Sequence, residues 1–85
     1  MDRIVSTIQQ IDIRNMKLPI IAVFEHPEDY PDKYVGRIFE IDQPTEYVVI
    51  KDSLQELQDD IGKHFVGVFL TRAKKDVPSM VGCWV

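Results

Sequence analysis

The chain has 85 residues, of which 45% are hydrophobic and 28% charged, and these values are typical of one small globular domain. They exclude a disordered chain and a collagen-like repeat, and the single cysteine, Cys83, excludes a disulfide scaffold. Ten basic residues against fourteen acidic ones give a formal net charge of −4, so we expect no direct binding of nucleic acid.

The sequence contains no predicted targeting or membrane-spanning segment. Its first ten residues have no apolar h-region, and no apolar run approaches the roughly 18 residues of a membrane span. A lone cysteine fits a reducing compartment. We therefore expect a cytoplasmic protein that does not act at a membrane.

The small size predicts association. A chain of this length buries only about 60% of the surface that its unfolded form exposes, so we expect a small free energy of unfolding. Neither a disulfide nor an obvious metal site reinforces it. The usual remedy is packing against another subunit or a partner, and we expect a dimer or a complex with another protein.

The first fifteen residues have an ambiguous pattern. Ile4, Ile8 and Ile11 share one face of a helix, and Asp2 is a suitable N-cap. The same segment is rich in β-branched residues, which disfavour a helix slightly. We expect an N-terminal helix, and the sequence leaves open whether residues 1–15 join the core or form an appendage to it.

Two strands and a loop are predicted next. Leu18–Glu25 is a nearly continuous apolar run of strand length, which suggests a strand covered on both faces. Pro27 and Pro31 bracket an acidic loop, because proline fits neither a strand ladder nor the interior of a helix. Tyr34–Ile41 is the second strand, so the two strands are expected to form a hairpin with a long connection.

The remaining strands follow at regular intervals. Residues 42–45 are predicted to form a turn and 46–51 a short third strand. Residues 64–72 are apolar on both faces, which predicts a fourth strand in the centre of the sheet. After a polar reversal at 73–78, residues 79–85 form the last strand.

One helix is predicted over residues 53–61. Ser53 and Glu56 have the spacing of a capping box, which satisfies the free backbone donors of the first turn. An apolar face follows at helical spacing, formed by Leu54, Leu57 and Ile61. Gly62 is predicted to lie at the C′ position that ends the helix.

These elements predict one α+β domain over residues 1–85. We expect a mostly antiparallel sheet of about five strands, with the helix across one face and the N-terminal helix as an addition.

Acidic and basic residues are separated along the chain. Residues 25–60 contain eleven acidic against three basic residues, a net −8, whereas residues 61–85 contain four basic residues against Asp76, a net +3. Surface charges cluster by chance in many small proteins. The alternatives are an acidic surface that attracts a basic partner, or two protomers that meet through opposite patches.

Residues for catalysis or for cofactor and metal binding are not apparent. Residues 25–29 combine His26 with three carboxylates, but Pro27 interrupts them and the spacing typical of metal ligands is missing. Ser53 is needed as a helix cap, and Cys83 lies in an apolar strand where thiols are usually inert. We therefore expect no enzymatic activity, no cofactor and no metal.

The best candidates for binding a partner or ligand lie in and near the acidic loop. Tyrosines among charged residues are typical of recognition loops, although a tyrosine with a buried ring and a solvated hydroxyl explains the pattern equally well. Trp84 either fills the core under the helix or anchors a contact between protomers. The candidates are Glu28, Asp29, Tyr30, Asp32, Tyr34, Arg37 and Trp84.

Two functions from different classes are compatible with this sequence. The first is a non-enzymatic interaction protein, an acidic inhibitor or adaptor that associates with itself or occupies a basic site on another protein. The alternative is a protein that binds or sequesters a small ligand. Its pocket would lie where strand glycines such as Gly36 meet the loop bearing Tyr30 and Tyr34, or at a subunit boundary.

Residues 22–65 resemble the HicB-like antitoxin domain. The matching features are Ala22-Val23-Phe24-Glu25, then Glu28-Asp29 with Tyr34-Val35, then the helix start Asp52-Ser53-Leu54-Gln55-Glu56. The resemblance implies the same layout of a sheet and a helix. In place of the family's Pro-Gly pair after the second strand, this chain has Asp42-Gln43-Pro44-Thr45. The whole chain also resembles short proteins of bacteria and their mobile elements, a class that implies no activity.

Overall fold

A computed structural model describes residues 2–71 and 79–85, which contain one six-stranded sheet and one α-helix. Two short 3-10 turns, Ile8–Gln10 and Ile13–Asn15, precede the second strand. The elements in chain order are β1 (Arg3–Val5), β2 (Pro19–Glu25), β3 (Tyr34–Glu40), β4 (Gln43–Lys51), α1 (Leu54–His64), β5 (Phe69–Thr71) and β6 (Met80–Trp84).

The strands lie in the order β1-β4-β3-β2-β6-β5. Four of the five neighbouring pairs are antiparallel, and only β1 runs parallel to its neighbour, β4. The predicted α+β class, with a mostly antiparallel sheet and one helix, is confirmed. The sheet has six strands rather than five, because the N-terminal segment contributes one.

The predicted hairpin of the first two long strands is confirmed. β2 and β3 pair without a break from Pro19 opposite Glu40 to Glu25 opposite Tyr34. Residues 26–33 connect them, as the two prolines of this segment predict.

The helix begins as its sequence predicts and ends later. The Ser53 hydroxyl accepts a hydrogen bond of 3.2 Å from the backbone N–H of Glu56, and Leu57 and Ile61 are buried. The prediction that Gly62 ends the helix is wrong, since α1 continues to His64 and Phe65 caps it with extended backbone. This helix needs no left-handed residue at its end, and no described glycine has a positive φ.

The predicted N-terminal helix is wrong. Arg3–Val5 form a strand that pairs with residues 47–49 of β4, and 3-10 turns follow. The β-branched residues explain the difference, because they fit a pleated strand better than a helix. The open question of residues 1–15 is also answered, since Ile8 and Ile11 are buried in the hydrophobic core.

The turn predicted at residues 42–45 is shorter than expected. Gln43 already pairs with Glu40, so only Ile41 and Asp42 reverse the chain, and Ile41 adopts a left-handed φ of 61°. Pro44 lies inside β4 because β1 pairs only with residues 47–49, so no strand needs a donor from Pro44 on that side.

The prediction of a central strand at residues 64–72 is wrong. His64 ends the helix, and only Phe69–Thr71 form a strand, at the edge of the sheet. Apolar residues on both faces do not distinguish a buried strand from an exposed edge, and Leu70 is 52% exposed. The last predicted strand is confirmed as β6, whereas the reversal predicted at 73–78 lies outside the described residues.

The core lies between the sheet and α1. Buried side chains from the 3-10 segment, the central strands and the helix form one cluster, which comprises Ile8, Ile11, Ile21, Val23, Ile38, Val49, Leu57, Ile61 and Phe65. Side chains alternate along β3, so Arg37 lies on the opposite face from Ile38 and the helix. Within the described residues, no helix is long and apolar enough to cross a membrane.

Candidate functional site

The acidic loop of residues 26–33 is held closed by its own backbone. The N–H of His26 donates to the carbonyl of Lys33 at 2.9 Å, and the N–H of Lys33 donates to the carbonyl of Tyr30 at 3.1 Å. The N–H of Tyr30 donates to the carbonyl of Pro27 at 3.0 Å, and Pro27 is buried. The loop therefore has a defined conformation.

A side-chain network fastens this loop to the sheet. The Arg37 guanidinium donates from Nη1 and Nη2 to the two carboxylate oxygens of Asp2, at 3.1 Å each. The Tyr30 hydroxyl donates to Asp2 Oδ2 at 2.8 Å, and Arg37 Nη2 also pairs with the carboxylate of Asp29. One guanidinium thus joins β3, the loop and the residue before β1.

The same contacts shift the protonation of the groups involved. The hydrogen bond from Arg37, followed by the one from Tyr30, lowers the pKa of Asp2 below its ordinary value. The charge of Asp2 in turn raises the pKa of the Tyr30 hydroxyl, mainly through their hydrogen bond. Asp2 is therefore a carboxylate and Tyr30 a neutral donor at neutral pH.

Three other carboxylates at this end of the molecule face solvent. Glu25, Glu28 and Asp32 are exposed, and no hydrogen bond or ion pair within the described part of the chain involves their side chains. Lys33 pairs with Asp52, and Arg37 pairs with Asp2 and Asp29. Among residues 2–71 and 79–85, Glu25, Glu28 and Asp32 therefore have no basic partner.

The two other predicted site residues are partly buried. The Tyr34 ring packs against the core, with its centroid 4.8 Å from that of His26. Trp84 also contacts the core, its indole N–H donates to Gln58 Oε1 at 2.9 Å, and its ring lies 5.6 Å from that of Phe69. The structure thus brings Asp29, Tyr30 and Arg37 together and places Trp84 away from them, beside the helix.

Sequence reasoning missed Asp2. Its interpretation as a helix cap hid its role, and 35 positions separate it from Arg37. One signal was available. Arg37 is the only charged residue among the central positions of an otherwise apolar strand, and a charge in that setting requires a partner of opposite sign.

A cavity lies at the C-terminal end of the helix. It measures about 650 Å³ and is lined by the 3-10 segment from Ile8 to Arg14 together with Lys63, His64 and Val66. The described residues do not contain a group of three or more His, Cys, Asp or Glu side chains placed to hold a metal ion.

Comparison of the chain with protein-family models, with curated proteins and with solved structures found no match.

Proposed function

We propose that the protein is a non-enzymatic interaction protein that uses its acidic loop to occupy a basic site on another protein. The binding surface comprises loop 26–33 and the strand ends that flank it, Glu25 and Tyr34, and is called the acidic loop of residues 25–34 below. The observation that supports this most strongly is the network around Arg37. It fixes the loop and neutralises the adjacent cation, while Glu25, Glu28 and Asp32 face solvent.

A fixed loop favours binding for an entropic reason. A flexible segment loses conformational freedom when it binds, and that loss subtracts from the affinity. Loop 26–33 is already ordered by three backbone hydrogen bonds and by the contacts of Asp29 and Tyr30. The loop that carries these carboxylates therefore loses little conformational freedom when a basic partner binds.

The charges of the loop suit a basic partner. Complementary charges at the rim of an interface accelerate association and select the partner, and their effect decreases with salt. Because Lys33 and Arg37 already have carboxylate partners, they do not cancel the attraction of the exposed acids. If the bound site is the active or binding site of the partner, the protein acts as an inhibitor by occlusion.

A synthetic octa-arginine peptide, used as a stand-in for a basic site, tests the proposal. The affected variant is E28Q/D32N, and the matched control is D42N/D59N, which changes the net charge by the same amount at exposed positions outside the loop. Binding is measured by calorimetry at low and at physiological salt. We expect the loop variant to bind about five-fold or more weakly, and the control to stay within about two-fold of wild type. Equal weakening of both would show that total charge alone controls binding and would refute the proposal.

Binding of a small ligand is the second candidate function, and the cavity of about 650 Å³ favours it. This volume falls within the usual range of ligand pockets. The cavity lies at the 3-10 segment and the helix end, not where strand glycines meet the loop of Tyr30 and Tyr34. Native mass spectrometry of the purified protein tests this candidate. A stoichiometric small adduct would support it, and a bare chain mass would count against it.

A further inference from the structure

A second cavity adjoins the one at the C-terminal end of the helix. It measures about 450 Å³ and is called the apolar cavity below, and the cavity of about 650 Å³ is called the helix-end cavity. Four side chains line both cavities: Ile13, Arg14, His64 and Val66. All other described residues that line the apolar cavity are hydrophobic or proline, namely Met16, Leu18, Pro19, Phe65 and Val85. The two polar side chains of the apolar cavity therefore lie where it meets the helix-end cavity.

Exposed aliphatic side chains form part of the apolar cavity. Leu18 is 71% exposed, Val85 is 43% exposed, and Val66 is fully exposed. Single exposed apolar residues are ordinary on a protein surface, whereas several of them around one concavity are typical of a site that binds an apolar group. The apolar cavity therefore suits the hydrocarbon part of a ligand.

Basic side chains from two segments meet at the junction of the cavities. Arg14 lies in the second 3-10 turn, and Lys63 and His64 lie in the last turn of α1. The helix dipole explains cations at the end of α1, but it does not explain Arg14, which belongs to another segment. Asp12 is the only acidic side chain among the described residues that line either cavity, and no ion pair within the described part of the chain involves the three basic residues. An anionic group has the complementary charge.

We propose that these two cavities bind a single-chain amphiphile with an anionic headgroup, a carboxylate or a phosphate ester. The hydrocarbon chain lies in the apolar cavity beside Leu18 and Val66. The headgroup lies at the junction, where Arg14 offers a planar pair of N–H donors and His64 a further one. This inference rests on the second candidate function, because it names the class of ligand for the same cavity, and it is independent of the acidic loop of residues 25–34.

Three probes with the same ten-carbon chain test the class of ligand. They are decanoate, decyl phosphate and decylamine, which carries the opposite charge at neutral pH, and calorimetry measures their affinities below the concentrations at which they form micelles. We expect the tighter of the two anions, which identifies the headgroup, to bind about ten-fold or more tightly than decylamine. Shortening its chain by two CH₂ groups should weaken binding about ten-fold.

The outcomes separate this inference from the candidate function on which it rests. Equal binding of the anions and decylamine would overturn the anionic class and leave ligand binding intact. Absence of binding by all three probes would count against both.

A pair of double variants tests the position of the headgroup. R14Q/K63Q removes two charges at the junction, and the control R3Q/K33Q changes the net charge by the same amount at residues that line neither cavity. We expect R14Q/K63Q to bind the tighter anion about ten-fold more weakly, and the control to stay within about two-fold of wild type. Equal weakening of both would show that total charge alone controls binding and would refute the proposal.

Leu18→Asn tests the apolar wall without straining the backbone. Leu18 has a left-handed φ of 47°, which asparagine adopts more readily than leucine, so we expect the variant to fold. The matched control is Ile41→Asn, because Ile41 is also exposed and has a φ of 61° but lines neither cavity. We expect about five-fold weaker binding of the anion by Leu18→Asn and a change within about two-fold for the control. Unchanged binding by the folded Leu18→Asn variant would refute the proposal, as would a dimer in light scattering whose covered cavities bind no anion.

Discussion

Arg37 and Asp2 form a two-point contact, with the guanidinium nitrogens 3.1 Å from the two carboxylate oxygens. Asp2 also accepts the hydroxyl hydrogen bond of Tyr30, and Arg37 also binds Asp29. This contact connects the residue before β1 to the face of the sheet opposite the helix. It also connects both to the acidic loop, so the conformation of the proposed binding surface depends on a residue outside it.

Replacing Arg37 with lysine is expected to loosen the loop. Lysine has no planar fork and does not reproduce the paired contacts to Asp2 and Asp29. We expect the free energy of unfolding to fall by about 1 kcal/mol and the amides of Tyr30 and Lys33 to exchange faster. Chemical denaturation and hydrogen exchange measure the two effects.

The matched control is Arg3→Lys, because Arg3 forms an exposed ion pair with Glu46. Exposed pairs contribute little, so we expect a change of less than about 0.5 kcal/mol and no effect on the loop amides. Loop amides that exchange at the wild-type rate in the Arg37 variant would show that the network does not order the loop.

The contribution of Asp2 to stability should depend on pH. Because its folded-state pKa is lowered, this contribution is present above the unfolded-state pKa of about 4 and is lost as the pH falls through the lower folded pKa. We expect wild type to be more stable than Asp2→Asn at pH 7, and the difference to shrink as the pH falls below the unfolded-state pKa of Asp2. Urea denaturation at several pH values measures this difference. A difference that stays constant with pH would contradict the role of the Asp2 charge.

Two glycines should respond oppositely to alanine. Gly62 lies inside α1, where an added Cβ would lie 3.6 Å from the Trp84 ring, an ordinary contact. Since alanine favours a helix more than glycine does, Gly62→Ala should stabilise the protein by about 0.5–1 kcal/mol. A Cβ at Gly82 would lie 2.3 Å from the carbonyl oxygen of Leu70, which is backbone.

Gly82→Ala should therefore be destabilising by about 2 kcal/mol or more, because the β5–β6 ladder must shift to accept it. Thermal and chemical denaturation of both variants provide the measurement. A neutral Gly82→Ala would indicate that the two strands lie farther apart than described.

Trp84 is expected to stabilise the fold without mediating association. Its indole N–H donates to Gln58, and its ring contacts the core beside the helix. Trp84→Phe loses the hydrogen bond and part of the packing, so we expect the free energy of unfolding to fall by about 1–2 kcal/mol. Light scattering should give the same mass for wild type and variant. A lower mass for the variant would instead support the alternative that Trp84 anchors a contact between protomers.

The sequence predicts those elements whose signals are local. The β2–β3 hairpin is bounded by prolines, and α1 combines a capping residue at Ser53 with apolar residues at helical spacing, so short windows suffice. β1 and β5 have only three residues each, and their positions depend on pairing with distant strands. Local patterns do not contain that information.

The site was partly predictable for the same reason. Acidic and aromatic residues close together in the chain identified the loop with Asp29 and Tyr30, and Arg37 was included among the candidates. Its partner Asp2 was not, because only the folded sheet, in which β1 pairs with β4 and β4 with β3, brings Asp2 within reach of Arg37. The resemblance to HicB-like domains stays a prediction, since no comparison bears on it.

The most direct test of the proposed function is an NMR titration of ¹⁵N-labelled protein with octa-arginine. If the fixed acidic loop is the binding surface, the largest changes in amide chemical shift will fall in residues 25–34. The amide resonances of Ile41 and Asp42, at the opposite end of β3, will not shift. Shifts of similar size at all exposed acidic residues, or shifts centred away from the loop, would contradict the proposal.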